Sequence, residues 1–391
     1  MNELLFIFII LLPIAWYFGF RHGRKKEVKR STGKSSGLSK TYFTGLNYLL
    51  NEESDKAIDT FVSMLEVDSE TVETHLALGS LFRKRGEGDR AIRIHQNLIA
   101  RPSLSQEDRK KALLELGYDY MSAGLLDRAE NIFKELSTNS IHKDNSLSQL
   151  LIIYQQTKDW KKAIDTASKI NSAKLTNHKV EIAHFYCELA EDALKAESYK
   201  DALSFIKKAF LADPSCARAI LISAEIHINN ARFKQATKCY KDLVKYNVAF
   251  LPEAIEKVIK CYQELNDKDG LVKFLDEALK NGAGISSILA YAKILQSEQG
   301  DKAAAEFIAA KMSNHPSIKG LLELIQLHIE HASESAKPSL LMLYQVVDQL
   351  LKNKPIYHCD HCGFDSKMLF WQCPSCRSWG EVKPIKGIEG E

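Results

Sequence analysis

Four cysteines at Cys359, Cys362, Cys373 and Cys376 are the residues whose type and spacing most directly imply chemistry. They form two C-x-x-C pairs, Cys359-Asp-His-Cys362 and Cys373-Pro-Ser-Cys376, separated by ten residues. A C-x-x-C bends into a turn whose two sulfurs point at one ion, and two such turns complete a tetrahedral thiolate set. In a long chain this clustering reads as a metal site rather than a disulfide framework, and it favours a reducing compartment. Zinc and a single iron both suit four sulfurs, so spacing leaves the metal open. His358 and His361 lie beside the first pair as further candidates, but four sulfurs already satisfy the ion. A closed shell leaves no position for a substrate, which makes the site structural rather than catalytic.

The segment around these cysteines is short. Residues 355–391 cannot bury much apolar surface, and a structural metal contributes on the order of 10–16 kcal/mol in comparable small sites. Tyr357, Phe364, Phe370, Trp371 and Trp379 are expected to pack around the ion. Four basic residues here face five acidic ones, which argues against a nucleic-acid surface. The other four cysteines, Cys187, Cys216, Cys239 and Cys261, are solitary in helical sequence and read as small buried hydrophobes. Enzyme motifs are missing: there is no Walker loop, G-x-G-x-x-G, H-E-x-x-H or nucleophile elbow. His328-Ile-Glu330-His331 has the wrong spacing for a helical zinc site and reads as a polar helix face. The sequence therefore describes a protein that is not an enzyme, with no catalytic residue assigned.

The chain that must position the metal site has 391 residues, 45% hydrophobic and 26% charged, a globular composition with room for two or three units. A period of about 34 residues runs through most of it. Gly45, Tyr48, Ala57 and Phe61 set the pattern; Gly79, Phe82 and Ala91 repeat it, with His95 in the second aromatic position. Gly117, Tyr120, Ala129 and Phe133 follow, then Leu151, Tyr154, Ala163 and Ala167. Ala190 and Ala202, Ala224, Ala236 and Tyr240, Gly270 and Phe274, and Ala292 and Ala304 continue the series, with Pro214 and Pro316 at helix exits. Small residues are needed where helix axes approach most closely, and aromatics fill the remaining gaps. This pattern resembles the tetratricopeptide repeat. The fold class expected is all-α: a superhelical solenoid of about eight repeats over residues 41–353, closed by helices near Leu321–Ala332 and Pro338–Lys352. Such folds work through a groove lined by the first helix of each repeat, where His75, Arg83 and Arg85 are candidate contacts.

Leu4 to Phe20 is an uncharged apolar run, at the short end of what crosses a bilayer as a helix. From Arg21 to Lys40 eight basic residues stand against Glu27 alone. Positive charge after the apolar run, with none before it and no small-residue cleavage site, reads as an uncleaved anchor rather than a signal peptide. Residues 1–20 are thus expected to be a single-pass anchor, 21–40 a basic tether, and the rest a cytoplasmic body. With formal charge +3 overall, the body outside the tether is acidic, and no nucleic-acid partner is expected.

This order of parts resembles the lipopolysaccharide assembly protein B family. The residue-specific match is Tyr357-x-Cys359-x-x-Cys362-Gly-Phe364, then Leu369-x-Trp371-x-Cys373-Pro-x-Cys376-x-x-Trp379, followed by Lys383-Pro384-Ile385. The resemblance implies a rubredoxin-like metal-binding domain at residues 354–391 with Cys359, Cys362, Cys373 and Cys376 as ligands. It also implies an inner-membrane adaptor without catalysis of its own. Its partners would be the membrane protease FtsH, the lipid A pathway deacetylase LpxC, and other lipopolysaccharide synthesis or transport proteins. The alternative role is a scaffold for those proteins that does not direct proteolysis.

Overall fold

A computed structural model describes residues 40–51, 53, 56–58, 60–61, 72–138, 141–170, 178–313 and 316–391. The expected anchor and nearly all of the basic tether lie outside these residues. Among the described residues no helix is long and apolar enough to cross a membrane. The chain divides into two compact units, one reaching Asn139 and one running from Ser140 to Glu391.

In the first unit, α1 (Lys40–Leu50) is followed by α2 (Val72–Lys84), α3 (Gly88–Ile99), α4 (Gln106–Ser122) and α5 (Leu126–Ser137). Helices α2 and α3 pair as a hairpin, as do α4 and α5, and the first helices α2 and α4 also touch. The small and aromatic positions of the repeat do what their spacing implies. A Cβ on Gly45 would stand 2.7 Å from the Phe61 ring, and one on Gly117 would stand 2.8 Å from the Phe133 ring. At the equivalent place His95 packs on Gly79, and its ring needs a polar partner that a phenyl group does not. Asp119 provides it: His95 Nδ1 and Asp119 Oδ2 are 2.5 Å apart, both fully buried. Arg83 binds the other oxygen of Asp119 and Glu115 as well, each at 2.6 Å.

The second unit continues the hairpins: α6 (Lys143–Gln156) with α7 (Trp160–Lys169), α8 (Lys179–Lys195) with α9 (Tyr199–Ala212), and α10 (Ala217–Asn229) with α11 (Phe233–Asn247). A 3-10 turn at Val248–Glu253 holding Pro252 precedes α12 (Ile255–Glu264), which pairs with α13 (Lys268–Lys280). Then come α14 (Ile285–Gln299) with α15 (Asp301–Met312), and α16 (Ile318–His331) with α17 (Lys337–Lys352). First helices of neighbouring hairpins touch, α8 with α10, α12 with α14 and α14 with α16, and in repeat arrays of this kind such helices line the inner face. Ala190, Ala202, Ala224, Ala236, Tyr240, Phe274, Ala292 and Ala304 are all buried between them. Of the solitary cysteines Cys187, Cys216 and Cys261 are buried and Cys239 is half-buried.

Helix α17, in the stretch expected to close the solenoid, leaves much of its apolar surface uncovered. Val347 is its one buried residue, while Leu341, Met342, Leu343, Val346 and Leu350 are exposed. After it, three short antiparallel strands, β1 (Tyr357–Cys359), β2 (Asp365–Ser366) and β3 (Val382–Pro384), form a sheet in the order β2-β1-β3.

Candidate metal centre and its seat on the repeats

The two C-x-x-C pairs fold into turns of the same design. The Cys359 amide donates to the Phe364 carbonyl and the Cys373 amide to the Ser378 carbonyl, both at 2.9 Å. One step inside, Gly363 donates to the Cys359 carbonyl and Arg377 to the Cys373 carbonyl, again at 2.9 Å. Both closing residues are left-handed, Gly363 at φ 78° and Arg377 at φ 62°. The second turn therefore accepts in an arginine the backbone strain that the first avoids with glycine.

These turns bring four sulfurs together from the ends of a 17-residue interval. All four Sγ atoms lie within 4.8 Å of one another, with Cys359 to Cys376 at 3.8 Å and Cys362 to Cys373 at 3.7 Å. A tetrahedron of thiolates bound at about 2.3 Å has edges of about 3.8 Å, so the donor set fits one four-coordinate ion. Cys359 and Cys373 are fully buried, Cys376 is half-buried and Cys362 is exposed, so one edge of the site meets solvent. Burial pushes the Cys359 thiol up to about 12 against the amides of Cys362 and His361, which donate to its sulfur. The Ser378 hydroxyl, with its amide, holds the Cys376 thiol down to about 5. A cation at the centre would favour the thiolate at all four positions and offset the burial of Cys359.

The histidines beside the first pair are used elsewhere. His358 Nδ1 pairs with Asp365 at 2.7 Å on the outer surface, and neither His358 nor His361 joins the cluster of sulfurs. Tyr357 packs directly with Cys359, Cys373 and Val382, and Phe364 and Phe370 flank them. The two tryptophans do not belong to this core. Trp371 and Trp379 turn outward onto the repeats, while Tyr357, Phe364 and Phe370 take up the interior of so small a module.

The surface they meet is the inner face of the second unit. Trp379 stacks on His184 of α8 at 5.1 Å and meets Phe185 and Trp160 edge-on at 5.7 and 6.1 Å. Its indole N–H donates to Gln155 of α6 at 3.0 Å. Trp371 lies 5.3 Å from Phe250, and Arg218 of α10 stands over its ring at 5.9 Å. Arg218 is buried and its charge is balanced by Glu188 at 2.8 Å and Glu191 at 2.9 Å. Tyr357 donates to Glu253 at 2.6 Å, which together with burial pushes its phenol well above the ordinary range. His184 is held neutral: burial, then the charge of Arg218, lowers it to about 3, and its Nδ1 has no hydrogen-bond partner. The metal module thus occupies part of the face where repeat proteins take their ligands.

Comparison with known proteins finds both parts, the repeats and the four-cysteine module. Residues 357–384 match the family described as Rubredoxin metal binding domain, and residues 74–110 match the Tetratricopeptide repeat. Lipopolysaccharide assembly protein B of Escherichia coli (strain K12) is 38% identical over 391 residues, covering 100% of both chains. The protein of the same name from Haemophilus influenzae is 36% identical over 399 residues, again covering 100% of both. This chain belongs to the lipopolysaccharide assembly protein B family. It is a family of repeat adaptors and not of enzymes. Among solved structures, part of a TPR repeat-containing protein from Cytophaga hutchinsonii is 15% identical, with a TM-score of 0.38, covering 69% of this chain and 94% of that one.

The expected groove contacts of the first unit are already committed within it. Arg83 is bound to Glu115 and Asp119, His75 to Arg101 at 2.7 Å, and Arg85 to Glu87 at 3.2 Å. His184, Arg218, Gln155 and Glu253 carry no sequence signal of their own. The aromatic residues beside the cysteines are the one signal that could have shown the docking surface, since there are more of them than so small a core can bury.

Proposed function

We propose that the protein acts in lipopolysaccharide assembly as an inner-membrane adaptor that presents the lipid A pathway deacetylase LpxC to the protease FtsH. The single observation that carries this reading is full-length identity with proteins named for lipopolysaccharide assembly, in a chain with no catalytic constellation among its described residues. Residues 1–20 would anchor it and 21–40 would tether the body at the membrane. Confinement to the plane of the protease raises the effective concentration of a bound client to about the millimolar range of tethered pairs. Cys359, Cys362, Cys373 and Cys376 would hold one structural ion, zinc or iron, whose role is to cross-link the two turns. The module's own residues then fix its orientation on the repeats through Trp371 and Trp379.

The test is the half-life of the deacetylase in cells with and without this protein. Depletion is expected to lengthen it several-fold. An unchanged half-life would instead favour the passive scaffold, which holds synthesis and transport proteins together without altering their turnover.

A further inference from the structure

Beyond the strands, the chain folds back on itself and reaches the far hairpins. The Glu391 amide donates to the Ile385 carbonyl at 2.6 Å and Gly387 donates to the Glu391 carbonyl at 2.8 Å, so Ile385–Glu391 is a closed loop. The Glu391 side chain is 8% exposed and inserts at the start of α14. There Oε2 accepts the Ser286 amide at 3.0 Å, while Oε1 accepts the Ser286 hydroxyl and Lys319 Nζ, both at 2.7 Å. A carboxylate from 105 residues away therefore caps a helix whose own N-cap, Gly284, has no side chain to do so. Gly284 also makes the room: a Cβ there would stand 2.7 Å from that of Glu391.

The cradle extends past the carboxylate. The start of α16 is capped by the same loop, with Ile318 donating to the Ile388 carbonyl at 2.8 Å. The Ser317 hydroxyl beside it is buried, at 5% residue exposure, and has no partner. Next to it a cavity of about 440 Å³ has an apolar floor of Leu279, Ile285 and Ile288, and Lys311 and Lys386 on its wall. The start of α14 and Lys319 thus converge on one carboxylate, and beside it lie the start of α16, an unused hydroxyl and an apolar space that the loop does not fill.

We propose that this cradle is a binding site for a protein partner's acidic segment, an Asp or Glu side chain with an aliphatic neighbour, and that Ile385–Glu391 occupies it in the partner's absence. The carboxylate takes the place of Glu391 and the aliphatic group enters the cavity. Binding in this way releases the loop that ties the metal module to α14 and α16. The inference stands independently of the lipopolysaccharide reading.

The probe is a fluorescent peptide of residues Pro384–Glu391, titrated into the full-length protein, its Glu391→Ala variant, and Glu391→Ala combined with Lys319→Ala. An intramolecular competitor acts at about millimolar effective concentration, so the single variant is expected to bind at least about tenfold more tightly than the parent. The Lys319→Ala change, or glutamine at the peptide's last position, should remove that binding. Equal affinity for parent and Glu391→Ala, no binding to Glu391→Ala at millimolar peptide, or indifference to both controls would overturn the proposal. Hydrogen exchange at the Ser286 amide in the near-isosteric Glu391→Gln variant keeps the test open should Glu391→Ala fold poorly. It should quicken at least about tenfold, because one carboxylate accepts that amide, and slow again with peptide; no change on peptide addition counts against the site.

Discussion

His184 shows how a residue with no motif around it can govern the seating of the metal module. Its ring lies between Trp371 and Trp379, at 5.9 and 5.1 Å, with one nitrogen unpaired and a protonation held down to about 3. An unfolded chain takes up a proton near pH 6.5, which the folded protein refuses until far lower pH. The stability linked to His184 is therefore fully present above about pH 6.5 and lost as pH falls towards 3, about 2 kcal/mol of it between pH 7 and 5. The thiolates also gain protons in acid, so the comparison that isolates His184 is with His184→Phe. That variant keeps the ring and removes an unsatisfied buried nitrogen, so it should be close to neutral at pH 7 and have a shallower loss on acidification. Urea unfolding of both proteins at pH 7 and 5 checks this; parallel losses would remove His184 from the account. The four cysteines were legible because their geometry is local, fixed by two turns of four residues. His184 was not, because its role depends on Trp379, which is 195 positions away in sequence and is brought close only by the stacking of hairpins.

At the scale of elements, the period was legible because each hairpin buries the same small and aromatic positions. Gly117 against Phe133 and Ala224 with Tyr240 are the same pair of positions in different repeats. What the period did not reveal is how each hairpin turns. Two residues before the second helix, the chain is left-handed at Gly86, Gly124, Lys158, Glu197, Ala231 and Asn266, with φ between 50° and 82°. The first unit places glycine there, while the second forces ordinary residues into a conformation that costs roughly 1–2 kcal/mol each. Packing of the two helices imposes the turn whichever residue occupies it. Ala231→Gly should therefore stabilise the second unit by roughly 0.5–1 kcal/mol, after the entropy glycine loses on folding, and Gly124→Ala should cost about 1 kcal/mol in the first. Thermal melts decide it; a lower midpoint for Ala231→Gly would mean its turn is unstrained. The closing helix α17 shows the same limit of a periodic pattern. Its apolar spacing gives a helix, but spacing alone does not reveal that Leu343, Val346 and Leu350 face solvent.

The metal module and the repeats of the second unit depend on one another across the whole of that unit. A module this small would draw most of its stability from an ion held by its four cysteines, on the order of 10–16 kcal/mol in comparable sites. Its outward tryptophans cover Phe185, Phe250 and the buried Arg218, which would otherwise sit on an open inner face. Loss of the ion should therefore act in two steps: the turns open, and the tryptophans then leave the repeats. Trp160, Trp371 and Trp379 are three of the chain's four tryptophans, and all three meet in this seat, so emission reports the second step directly. Chelation, or Cys373→Ser, should shift tryptophan emission to longer wavelength and lower the melting temperature of the second unit. Trp379→Ala should lower it too, by about 3–5 kcal/mol of lost packing, while leaving the metal content unchanged. The two variants separate cause from consequence: one removes the ion and with it the seat, the other removes the seat and keeps the ion. If Cys373→Ser lost metal but kept its emission and melting temperature, the module would be a passenger on the repeats rather than part of their fold.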